Sequence, residues 1–121
     1  MSRKVLVVDD SQTMRDLLSL TLKEAGFQVV EGGNGKEGLD RLGAGKVDLI
    51  ISDVNMPVMD GITFVQQLRT LPSSRCTPVL MLTTETAPGK KAAAKAAGAT
   101  GWLVKPFTPE QLRSVIARVL P

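Results

Sequence analysis

With 121 residues, 43% of them hydrophobic, the chain is sized for one domain, residues 1–121, burying about two-thirds of the surface that its unfolded form exposes. It has no histidine, which removes the commonest zinc ligand, the commonest general base and any phosphohistidine on this chain. A single cysteine, Cys76, excludes an internal disulfide, and the only apolar run near the start, Val5 to Val8, is too short for a signal peptide or a membrane span. The net charge of +3 rests on scattered lysines and makes no nucleic-acid-binding patch. We therefore expect a cytoplasmic protein without membrane insertion or a direct nucleic-acid partner. Its chemistry is confined to carboxylates, hydroxyls, amides and amines.

Residues 4–9 open with the continuous apolar run Val5-Leu6-Val7-Val8, a strand covered on both faces, and stop at Asp9 and Asp10. From the N-cap Ser11, Met14, Leu17, Leu18, Thr21, Leu22 and Ala25 keep to one helical face, and Gly26 supplies the stop. Residues 27–30 make a short second strand. Residues 35–44 make a second helix, weakened by Gly38 and Gly43 at about 1 kcal/mol each relative to alanine. The central strand is expected from Val47 through Ile51. Asp53 stands where it must stop, because Met56-Pro57 cannot continue a ladder.

After the Asp60-Gly61 turn, Ile62, Phe64, Val65, Leu68 and Leu71 predict a third helix ending near Pro72, followed by a loop over residues 72–74. Residues 78–82 predict a fourth strand that ends at the hydroxyls Thr83 and Thr84. Pro88 opens an alanine- and lysine-rich helix to Ala97, which has only methyl groups to bury and lysines 90, 91 and 95 to offer an acidic partner. Residues 99–104 predict a fifth strand ending at Lys105-Pro106. Thr108-Pro109-Glu110-Gln111 is a capping box that opens a last helix carrying Leu112, Val115, Ile116, Val119 and Leu120. Strands alternating with helices imply right-handed crossovers and a doubly wound α/β fold, a five-stranded parallel sheet with five helices.

In such a sheet the strand ends share one edge, so Asp9, Asp10, Asp53, Thr83 and Lys105 are expected in one site. Three carboxylates in a partly dry pocket repel, and one takes up a proton unless a cation is supplied. Mg²⁺ suits an all-oxygen site that leaves room for water and phosphate. With Mg²⁺ and Lys105 the three carboxylates are neutralised, and an acyl phosphate of about −2 on Asp53 leaves the site near −1.

Asp9-Asp10, Asp53-Val54-Asn55-Met56-Pro57, Thr83-Thr84-Glu85, Gly98-Ala99 and Trp102-Leu103-Val104-Lys105-Pro106-Phe107 resemble the receiver domains of two-component response regulators over essentially the whole chain. The nearest resemblance is to stand-alone chemotaxis regulators of the CheY type. It implies the flavodoxin-like strand order 2-1-3-4-5, of which CheY is itself a standard example. The resemblance also implies that Asp53 is phosphorylated from a sensor histidine kinase and that Asp9, Asp10, Asp53 and the Asn55 carbonyl hold Mg²⁺. Thr83 and Lys105 would then contact the phosphoryl oxygens, and the Lys105–Pro106 bond would be cis. Trp102 stands at the place of a switch aromatic that is usually tyrosine or phenylalanine. The implied output is a changed surface of the fourth helix, fifth strand and last helix that controls a downstream protein target, in a monomer that is a switch and not an enzyme.

Three other readings compete. Gly33-Asn34-Gly35-Lys36-Glu37-Gly38 fits a dinucleotide-binding fingerprint, yet it follows the second strand and not the first, where that fingerprint belongs. A magnesium-dependent phosphohydrolase of the haloacid-dehalogenase type also uses an aspartyl nucleophile, but needs a second aspartate two residues on, where this chain has Asn55, which cannot shuttle a proton. Finally, the alternative to a stand-alone regulator is an isolated receiver of a larger regulator, with Pro121 a boundary before an effector domain.

Overall fold

The structure, a computed structural model, describes residues 3–84 and 88–120. In chain order the elements are β1 Lys4–Val8, α1 Gln12–Glu24, β2 Gln28–Gly32, α2 Gly35–Ala44, β3 Leu49–Asp53, α3 Gly61–Leu68, a 3₁₀ turn Pro72–Ser74, β4 Val79–Thr83, α4 Pro88–Ala97, β5 Gly101–Val104 and α5 Pro109–Val119. All strand pairings are parallel, in the order β2-β1-β3-β4-β5. The sheet divides the core in two. Val5, Val7, Leu49, Ile51, Leu80 and Leu82 face Leu18 and Leu22 of α1 and Leu112 and Ile116 of α5. Leu6, Val8, Ile50, Val79 and Met81 face α2, α3 and α4. Every residue of β3 and β4 is buried, which is why their sequences are continuous apolar runs and not alternations.

The second strand runs over Gln28–Gly32 and not 27–30, the first and fourth differ from expectation by one residue, and three further boundaries differ for identifiable physical reasons. The central strand begins at Leu49 and not Val47, because the Asp48 carboxylate takes the Lys4 N–H at 2.8 Å, in place of a backbone acceptor. The fifth strand begins at Gly101 and not Ala99, because the Thr100 hydroxyl takes the Val79 N–H at 3.0 Å. The third helix stops at Leu68, short of Leu71, and residues 72–74 form a 3₁₀ turn where a loop was expected. There the Arg69 guanidinium collects the carbonyls of Ser74 (2.8 Å), Thr77 (2.7 Å) and Gly98 (2.7 Å), turning the chain early and tying it to the end of α4.

Two glycines set how closely helices approach the sheet. A Cβ on Gly38 would stand 2.9 Å from Phe64 and Val8, so the residue that weakens α2 as a helix is what lets α2 pack. A Cβ on Gly61 would run into the Asp53 carbonyl and stand 2.8 Å from the Val54 Cα, while the Gly61 N–H donates to the Val54 carbonyl at 2.7 Å. Gly61 therefore fixes α3 directly against the segment that carries Asp53. Gly61→Ala is expected to cost about 2–3 kcal/mol by overpacking against backbone that has no rotamer to yield. Chemical denaturation checks this, and an unchanged midpoint would contradict it.

Candidate functional site

The strand register builds the site. Val8 lies beside Ser52, Ser52 beside Met81, and Met81 beside Trp102, so one step further along the chain brings Asp9 level with Asp53. Asp10 follows on the turn into α1. The carboxylates of Asp9, Asp10 and Asp53 offer oxygens that all lie within 4.8 Å of one another. Lys105, just beyond β5, places its Nζ 3.0 Å from Asp9 Oδ2 and 3.5 Å from Asp53 Oδ2. Asp9 is fully buried. Its other oxygen accepts the Ser11 N–H at 2.9 Å, and its backbone carbonyl accepts from the Arg15 guanidinium. Arg15 is held in turn by Glu31 at 3.3 Å and Gln12 at 2.6 Å.

Burial pushes the Asp53 carboxyl up from the ordinary carboxylate range, and neighbouring Asp9 pushes the same way. The Lys105 charge and the neighbouring Asn55 backbone N–H oppose this without overcoming it. One lysine thus serves two buried acids, and the cluster remains short of positive charge. Hard oxygen donors with no nitrogen or sulfur ligand among them fit a divalent cation such as Mg²⁺.

Thr83 is the last residue of β4 and fully buried, and its carbonyl accepts the Lys105 N–H at 2.7 Å. The Lys105–Pro106 peptide is cis. Trp102 is half-buried, packs against the core on the α4 side and borders a cavity of about 270 Å³, lined also by Lys91, Ala94, Lys95 and Thr100. Asn55 is exposed, on a loop that doubles back at Val58, whose φ of 71° is costly for a β-branched residue. Glu85, part of the motif read from the sequence, lies outside the described residues.

Sequence reasoning missed three contacts: the Ser11 amide on Asp9, the Arg15 brace on the Asp9 carbonyl, and a hydrogen bond from Lys90 Nζ to Asn55 Oδ1 at 3.0 Å. The first was open to inference, because an N-cap residue right after two acids presents its own N–H to them. The other two depend on long side chains with no distinguishing neighbours. The glycine-rich turn before α2 is closed on itself. The Gly33 N–H donates to the Glu37 carboxylate at 2.8 Å, and the Glu37 N–H donates to the Asn34 side chain at 2.9 Å. Both amides are thereby committed within the turn, against a phosphate-binding role.

Residues 5–117 match the response regulator receiver domain. The chain belongs to this family. Chemotaxis protein CheY1 of Helicobacter pylori is 38% identical, over 97% of this chain and 96% of that protein. The structure of chemotaxis protein CheY4 of Vibrio cholerae superposes with a TM-score of 0.96 at 52% identity, covering 99% of this chain and all of the other. The receiver domain of a signal transduction histidine kinase from Syntrophus aciditrophicus, 35% identical, superposes with a TM-score of 0.90 over 98% of this chain and 90% of its own. Receiver domains of this type are phosphorylation-activated signalling switches and not conventional enzymes. No helix among the described residues is long and apolar enough to cross a membrane.

The displaced Asp53 carboxyl has a consequence for stability. In the interval between its ordinary and its raised titration, the folded receiver holds a proton that the unfolded chain has released, so stability falls as pH rises through that interval. Asp53→Asn removes this loss. In metal-free buffer the variant is expected to melt a few degrees above wild type at neutral pH, the two converging below the ordinary carboxylate range. Thermal melts across that span check the sign. A gap that does not change with pH would mean that Asp53 titrates normally.

Proposed function

We propose that residues 1–121 form one receiver unit that works as a cytoplasmic, monomeric, chemotaxis-type switch. It takes a phosphoryl group from the phosphohistidine of a sensor histidine kinase onto Asp53 and controls a downstream protein target. The observation that carries this is the convergence of Asp9, Asp10 and Asp53 around Lys105 at the carboxyl edge of the sheet. The chemotaxis assignment rests on the kinship with CheY1 and CheY4.

Asp53 is the nucleophile: its carboxylate oxygen forms the new bond to phosphorus as the donor's P–N bond breaks. Asp9, Asp10, Asp53 and the Asn55 carbonyl are the groups that would hold Mg²⁺, which when bound neutralises charge on the cluster and on the incoming phosphoryl group. Lys105 supplies a compact point charge beside Asp53, and the phosphoryl oxygens would compete with Asp9 for it. Thr83 donates its hydroxyl to the phosphoryl group, and the adjustment of β4 passes to Trp102 and the α4–β5–α5 surface. Asn55, two residues past the nucleophile, cannot act as a general acid or base, which favours a lasting acyl phosphate over the turnover of a phosphohydrolase. In this reading the chain promotes only its own phosphorylation and dephosphorylation. A second reading, a receiver within a larger regulator, has one specific support: the kinship with the receiver of a histidine kinase.

A small acyl-phosphate donor with Mg²⁺ is expected to label Asp53 in the absence of any kinase. Asp53→Asn is expected to take no label and Asp10→Asn to lose labelling with Mg²⁺ affinity, read by mass mapping and metal titration. Thr83→Ala is expected to label but to lose the Trp102 fluorescence response. A label mapped to another residue, or sustained phosphate release from a phosphomonoester, would overturn the assignment.

A further inference from the structure

Asn55 touches two parts of the molecule at once. Its backbone N–H lies beside the Asp53 carboxylate, and its side-chain oxygen accepts from Lys90 Nζ at 3.0 Å, from the first turn of α4 and 35 positions along the chain. Among the described residues, helix α4 has little else to fix that turn. Its core contribution is the buried Ala94 and the partly buried Ala97, two methyl groups, whereas its remaining described lysines, Lys91 and Lys95, line the cavity beside Trp102.

We propose that Lys90 is a positioning residue of the phosphorylation site, latching the first turn of α4 to the loop after Asp53 and holding the unphosphorylated arrangement. This rests on the receiver function proposed above. A phosphoryl group on Asp53 alters what the Asn55 N–H faces and brings anionic oxygens, stronger acceptors for an ammonium group than a neutral amide carbonyl. The latch is thereby weakened when the site is charged. Coupling of this kind is reciprocal: a bond that stabilises the unphosphorylated arrangement lowers affinity for a phosphoryl mimic, and removing it raises that affinity. The movement is read at Trp102, because α4 forms the other wall of its cavity.

The test is a titration with beryllofluoride and Mg²⁺, followed by Trp102 emission, together with the emission of each protein before any addition. Lys90→Met is expected to bind the mimic about two- to tenfold more tightly, the range for one net hydrogen bond, and to show unliganded emission displaced toward the mimic-bound value. Lys90→Arg keeps a cationic donor of similar reach and is expected to restore wild-type behaviour. Asn55→Ala removes the acceptor and leaves the charge, so in the double variant the two effects should not add. Unchanged affinity and emission in Lys90→Met, or additive effects, would overturn the latch. Weaker mimic binding in Lys90→Met would also overturn it, since Lys90 would then act by attracting the anion. A wild-type protein that ignores the mimic would instead count against the receiver function; the latch would then be upheld by an unliganded emission of Lys90→Met that differs from wild type and is restored in Lys90→Arg, and overturned by one that does not differ.

Discussion

A fully buried carboxylate next to a second buried carboxylate is tolerable here because Lys105 reaches both, 3.0 Å from Asp9 and 3.5 Å from Asp53. The lysine lies 96 residues beyond Asp9, so the contact exists only when β1, β3, β4 and β5 stand in register. Removing either kind of partner leaves an uncompensated charge in a dry setting, which costs far more than the pair contributes. The site is therefore a product of the fold's topology, and it is deliberately under-neutralised. Asp9 spends its remaining capacity on the Ser11 N–H, and Asp53 keeps a displaced carboxyl that a cation would relieve.

The same topology separates what is rigid from what can move. The sheet and the helices α1, α3 and α5 bury large apolar side chains, among them Leu18, Leu22, Phe64, Leu68 and Leu112. Helix α4 buries methyl groups, and the half-buried Trp102 beside it borders open space. Elements with little buried apolar area open at low cost, so a change of charge at Asp53 finds its easiest outlet there. Arg69 limits the displacement by tying the far end of α4, through the Gly98 carbonyl, to the turn after α3. At the opposite end of α4, Lys90 of the first turn meets Asn55.

Much of this was legible in the chain because a parallel sheet covered on both faces writes itself as unbroken apolar runs, and acids at the ends of two such runs must share an edge. Helix α2 fell at residues 35–44 as expected despite its glycines, since Asn34 caps it and Gly38 gives it a close seat on Phe64 and Val8. The strand starts near Val47 and Ala99 were misjudged because hydrophobicity marks burial and not pairing. At each, a polar side chain, Asp48 or Thr100, makes a bond at the sheet margin that no apolar pattern reveals. The end of α3 was hidden for a similar reason: Arg69 gathers carbonyls from separate segments, and no local signal marks it among the other arginines. Lys90 could not be told from Lys91 or Lys95 by type or spacing. Only the folded chain distinguishes the lysine that meets Asn55 from those that line the Trp102 cavity.

The central claim is that Asp53 sits in a buried acidic cluster which Lys105 alone does not neutralise. The most direct measurement is the titration of the Asp53 side-chain carboxyl carbon by NMR, without and with Mg²⁺. The account predicts a midpoint above the ordinary carboxylate range in the metal-free protein, falling when Mg²⁺ is added. A midpoint in the ordinary range that Mg²⁺ does not move would contradict it.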